Sequence, residues 1–302
     1  MFLHMITNEH TQQLPADTDK HAQQLPADTV DLARTRTLPP RGLAAFFLIA
    51  FGFSWSLWYA STLISGVNPM VFVLTGSFGP ALASVAVTAA TQGKAGVGAL
   101  FRRYSPRRRR WFLPYLLALA PGVFIAASGL IPLLLRGEQI NEAALHAALL
   151  SAPATFLFIA LAGGGNEELG WRGFALPRLQ SALPPFASNV VLGIIWAVWH
   201  APLWEIQATS QAGTSMPIYV LLVVTFCVAF GNIYNFSRGG LLTVVIAHAG
   251  VNTASGLKVA AFGSEGMGDA VIAMTVLCLI MLAVTKGRLG MPRRKVSALQ
   301  ES

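Results

Sequence analysis

Residues 43–65 read LAAFFLIAFGFSWSLWYASTLIS, an apolar run without one charged side chain. A helix needs about 20 such residues to cross roughly 30 Å of hydrocarbon, so this stretch is read as a membrane span. Seven more segments have the same character: Val71 to Ala90, Trp111 to Leu135, Ala147 to Gly165, Phe186 to Leu203, Ile218 to Phe236, Leu241 to Leu257 and Ala270 to Thr285. The expected fold is an all-α polytopic membrane protein of about eight transmembrane helices, with both termini cytoplasmic.

Composition agrees. Of 302 residues, 54% are apolar and only 11% charged, and the mean hydropathy is +0.57. A soluble domain carries about 25% charged residues, so that class is excluded. Two cysteines, Cys227 and Cys278, lie in apolar runs and leave no disulfide framework or Cys-rich metal cluster. The net charge of +8 would suggest nucleic acid in a soluble protein. Placed on the eight-span count, however, every Lys and Arg except Arg136 and Lys258 falls on the side of the N-terminus. That is the bias the positive-inside rule requires. The charge is therefore topological, no nucleic-acid partner is expected, and the run Arg107 to Arg110 is read as a juxtamembrane cluster facing anionic lipid.

Outside the spans little remains. Residues 1–42 are polar and repeat QQLPADT at Gln12 to Thr18 and Gln23 to Thr29. Two copies are too few for a solenoid, and the stretch reads as a disordered cytoplasmic tail. No signal peptide is expected before Leu43. Residues 43–286 form the membrane domain and 287–302 a basic cytoplasmic tail. With no loop long enough for a soluble catalytic domain, function is expected within or beside the helices.

An ionisable side chain at bilayer depth costs at least about 2.5 kcal/mol on insertion scales and needs a reason. Three clusters stand out: Asn166-Glu167-Glu168-Leu169-Gly170-Trp171-Arg172 after Gly163-Gly164-Gly165, His200 four residues after Trp196, and His248 with Asn252. Each has a structural reading. The glycines end one helix, Asn166 caps the next and acidic residues suit its first turn. His200, or His248 with Asn252, would serve as interhelical hydrogen-bonding groups.

Together, two carboxylates, two imidazoles and a carboxamide on separate helices can build a water-activating site. A carboxylate takes the proton from water, and imidazole and amide donors stabilise the oxyanion. Two His and a Glu also suffice as ligands for a catalytic zinc with one open position. Glu168 and Arg172 stand at i,i+4, the spacing of an ion pair, while Glu167 projects about 100° away. Glu168 and Arg172 are thus read as structural support and Glu167 as the chemical group.

At these residues the sequence resembles the CPBP family of intramembrane proteases, which includes CAAX prenyl endopeptidases and bacterial relatives linked to bacteriocin immunity or abortive infection. The family pattern is EExxxR, FxxxH and HxxxN. Glu167, Glu168 and Arg172 match the first motif; His200 matches the second, with Trp196 in place of Phe; His248 and Asn252 match the third. The resemblance covers roughly residues 147–257. It implies a membrane-embedded endopeptidase with its cavity open to the cytosol, in which Glu167 activates water. His200, His248 and Asn252 would line the site, the two histidines as zinc ligands if the metal is used. It further implies a peptide or protein substrate at the membrane and a bacterial inner-membrane location. A silent immunity or scaffold protein and a proton-coupled transporter are the rival readings.

A shared site also requires a shared depth. Glu167 falls at the cytosolic end of the fourth apolar segment, and His200 near the outer end of the fifth. The two meet only if the fourth helix runs past Glu167, to about Leu179, with Pro184-Pro185 in the turn and Arg172 and Arg178 snorkelling inward.

Overall fold

The computed structural model describes residues 42–106, 112–264 and 266–291. The repeated N-terminal segment, Arg107 to Arg110 and most of the basic C-terminal tail lie outside the described residues. Among the described residues every regular element is helical: α1 (Leu43–Leu63), α2 (Pro69–Gly76), α3 (Gly79–Phe101), α4 (Leu113–Ala127), α5 (Leu130–Leu135) and α6 (Glu142–Ala162). A short helix α7 (Leu176–Ala182) follows, then α8 (Pro185–Trp199), α9 (Met216–Phe236), α10 (Leu241–Phe262) and α11 (Met267–Thr285).

Among the described residues, seven stretches are long and apolar enough to cross a membrane: Leu43–Leu63, Pro69–Tyr104, Leu113–Leu135, Glu142–Ala182, Pro185–Glu205, Met216–Phe236 and Met267–Thr285. The protein is an all-α polytopic membrane protein. The eighth expected span corresponds to α10, which has the length but is diluted by His248, Asn252, Thr253, Ser255 and Lys258.

Local chemistry fixes the helix ends. Asn68 accepts from Met70 N–H ahead of Pro69, Asn141 accepts from Ala144 N–H, and α8 begins at Pro185, where a missing N–H costs nothing. Small residues let backbones approach. A Cβ on Gly122 of α4 would lie 3.0 Å from the Gly250 carbonyl carbon of α10, and one on Gly193 of α8 would lie 2.8 Å from Val224 Cα of α9. Such contacts replace the hydrophobic drive that lipid does not supply. Both cysteines are buried and free.

Arg136 and Lys258, the two basic residues expected on the side away from the N-terminus, are both occupied. Arg136 binds Asp269 through two parallel bonds of 2.7 and 3.1 Å and also reaches Glu138. Lys258 donates to Ser128 Oγ at 2.7 Å.

The fourth segment decides where the site lies. α6 stops at Ala162, and Gly164 turns the chain with φ +134°, a conformation that favours glycine. Helicity then resumes as a tight 3₁₀ turn, Gly165–Glu167, an α-turn, Glu168–Gly170, and a five-residue π-helical turn, Trp171–Ala175, before α7 ends at Ala182. The chain therefore continues past Glu167, to Ala182 rather than Leu179. At 1.5 Å per residue, Glu167 is roughly 20 Å from that end, Trp196 roughly 17 Å from Pro185, and His248 roughly 10 Å from Leu241. All three sit well inside the bundle.

Candidate active site

The break at Gly163-Gly164 frees carbonyls that α6 no longer pairs. Ser77 Oγ donates to Ala162 O at 3.3 Å, and Asn252 Nδ2 reaches Gly163 O at 3.4 Å. Asn166, expected as an N-cap, works differently. Its Oδ1 accepts from Gly164 N–H at 3.0 Å, and its Nδ2 donates to Ser77 O at 3.0 Å, clipping the turn to the junction of α2 and α3. Gly170 packs on Pro80 so closely that a Cβ would sit 2.5 Å from its carbonyl oxygen. The turn carrying the two glutamates is thus held from both sides.

The glutamates then diverge. Glu168 and Arg172 are fully buried and paired, Nη1 to Oε1, at 2.9 Å. The same Oε1 accepts from His248 Nδ1 at 2.7 Å. Glu168 therefore also orients an imidazole, a second duty beyond structural support. The guanidinium carbon lies over Trp196 at 4.5 Å and Phe230 at 5.0 Å. Arg172 does not snorkel, because its counter-ion lies inside the bundle. Arg178 is also buried, folded back 3.5 Å over the Phe174 ring.

Glu167 faces the other way. Its Oε2 accepts two indole N–H bonds, from Trp171 at 3.0 Å and Trp196 at 2.9 Å. Neither donor was expected. Trp171 is signalled by its i,i+4 spacing, and Trp196 by its substitution for Phe. That exchange is not neutral, since phenylalanine has no N–H to give. Both indole bonds fall on Oε2, and no hydrogen bond among the described residues occupies Oε1. Both indoles hold one oxygen and release the other.

Trp196 also joins the histidines. Its ring lies 5.8 Å from His200 and 5.4 Å from His248. His200 is further enclosed by Trp199 at 4.7 Å and Tyr219 at 5.5 Å. Its Nδ1 donates to Trp196 O at 2.8 Å. A carbonyl can only accept, so Nδ1 carries the hydrogen and Nε2 of the neutral ring presents a lone pair. His248 is arranged alike, with Nδ1 on Glu168 and Nε2 against Gly164, where a Cβ would lie 2.5 Å away.

This bears on zinc. Two lone-pair nitrogens suit a metal, but among the described residues no three His, Cys, Asp or Glu side chains converge to hold one. The two histidines alone fall short of three protein ligands.

Residues 148–254 match the family model described as type II CAAX prenyl endopeptidase Rce1-like. The chain is also 42% identical over 55 residues to CAAX prenyl protease 2 of Methanococcus maripaludis. That alignment covers 18% of this chain and 20% of the relative, so the chain spans about a fifth of that protein's length.

Proposed function

We propose that this chain, whose residues 148–254 match the Rce1-like family model, is a CPBP-family endopeptidase that hydrolyses a peptide bond with water activated by Glu167. The observation that carries the reading is the one-sided clamp on Glu167. Two indole donors fix Oε2, and Oε1 is left to take a proton.

Water adds to the carbonyl carbon as Glu167 Oε1 accepts its proton. The resulting oxyanion is met by Asn252 Nδ2, whose bond to Gly163 O is long enough to be exchanged. Glu167 then returns the proton to the departing amine, which balances the reaction. Glu168 fixes the direction of the His248 ring, and Arg172 neutralises Glu168. The substrate is a peptide or protein segment at the membrane, and the setting is the inner membrane of a bacterial cell.

The test is cleavage of a quenched C-terminal peptide library by the purified full chain, beside Glu167→Gln and a chelator titration. Cleavage by wild type and none by the variant is expected. Retention under chelator is the outcome for a glutamate and water alone. Loss that added zinc restores would assign His200 and His248 as metal ligands. No cleavage by wild type would leave a silent scaffold or a transporter.

A further inference from the structure

A second polar site lies at the end of the bundle where the basic residues gather. Arg103, just beyond α3, and Arg178 of α7 line one narrow pocket of about 40 Å³ with Thr88, Gln92, Gly173 and Phe174. Space of that size holds a few waters or one small tetrahedral anion. Arg178 is 5% exposed, and its Nε is buried without a partner. Arg103 donates from Nη1 to Gly173 O at 2.7 Å and to Tyr234 Oη at 3.1 Å; Arg178 donates from Nη1 to Phe174 O at 2.9 Å. These acceptors are all neutral. The ion pairs among the described residues place no carboxylate on either guanidinium. Two neighbouring cations, one of them buried, are costly to keep without a counter-charge.

From this we infer that the pocket between Arg103 and Arg178 binds a phosphate-bearing anion. Guanidinium forks match phosphate oxygens in charge and geometry, and Thr88 and Gln92 add neutral donors on the α3 side. The positive-inside bias assigns this end of the bundle to the cytosolic side, so the phosphate comes from an anionic phospholipid or from solution. The two arginines grip Gly173 O and Phe174 O, inside the π-helical turn that follows Glu167 and Glu168. Occupancy therefore braces the turn from which the candidate active site is built.

The experiment uses the full chain in phosphatidylcholine nanodiscs with and without phosphatidylglycerol, and in detergent titrated with inorganic phosphate. Lipid retention is read by native mass spectrometry and phosphate binding by thermal shift. Wild type is expected to retain phosphatidylglycerol about tenfold over phosphatidylcholine, the scale of one or two charge-assisted hydrogen bonds. Arg178→Gln and Arg103→Gln should lose that preference. Gln92→Glu, at an exposed lining position, should lose it with the fold intact, because it supplies an internal counter-ion. The exposed Arg102→Gln should keep it. Stabilisation by inorganic phosphate with the same variant pattern, and no lipid preference, would name free phosphate as the source. A phosphatidylglycerol preference that survives Arg103→Gln and Gln92→Glu, or the absence of any response from wild type, would overturn the inference.

Discussion

Two ion-paired clusters occupy different levels of the same bundle. At one end, Arg136 with Asp269 and Glu138 has a half-exposed guanidinium, 45% of its side chain being accessible. Inside, Arg172 and Glu168 are wholly buried, and their shared carboxylate oxygen also takes His248. Water screens the first pair at its arginine and would solvate that guanidinium if its partners were lost. Nothing replaces the second. The difference teaches that equal bond lengths do not mean equal consequences; the surroundings decide.

Removing Arg172 is the most severe way to probe this contrast. Arg172→Ala takes the arginine counter-ion from the buried Glu168 charge and leaves it only the His248 Nδ1 bond, a loss of about 3–5 kcal/mol. The expected outcome is low protein yield and a sharply lowered melting temperature in detergent; normal yield and melting would make the buried pair energetically idle. Next comes Gly164→Ala, which forces a side chain into φ +134° and onto His248 Nε2. About 1–3 kcal/mol is expected from the backbone alone. Activity should fall further than stability, checked by comparing melting with turnover.

Trp196→Phe is subtler. It keeps the aromatic surface and removes one N–H from Glu167. A hydrogen bond to a charged group is worth about 1.5–3 kcal/mol, so turnover should drop about ten- to a hundredfold with little change in melting. Unchanged turnover would show that Trp171 alone holds Oε2. The smallest effect belongs to Arg136→Gln, for which melting and turnover should both stay within experimental scatter. A large shift there would erase the distinction between the two clusters.

Much of this was legible in the sequence because hydropathy and periodicity are local properties. The apolar runs announced the spans, and i,i+4 spacing announced Glu168 with Arg172. The π-helical turn at Trp171–Ala175 was not legible, since it arises where Gly170 closes on Pro80 and Arg103 reaches Gly173, contacts distant in sequence. The true partner of Asn166 was hidden for the same reason: a cap is a local expectation, and Ser77 is far along the chain. Trp196 was visible as an aromatic, but its N–H gained meaning only once α8 was set against Glu167.

The most direct measurement is the turnover of Glu167→Gln on one identified peptide, with melting temperature measured on the same preparation. A rate lowered by about a thousandfold or more at unchanged melting is expected if Oε1 is the base, the scale of a lost general base. Turnover equal to wild type would contradict it, leaving the two indoles clamped on a carboxylate that takes no part in the chemistry.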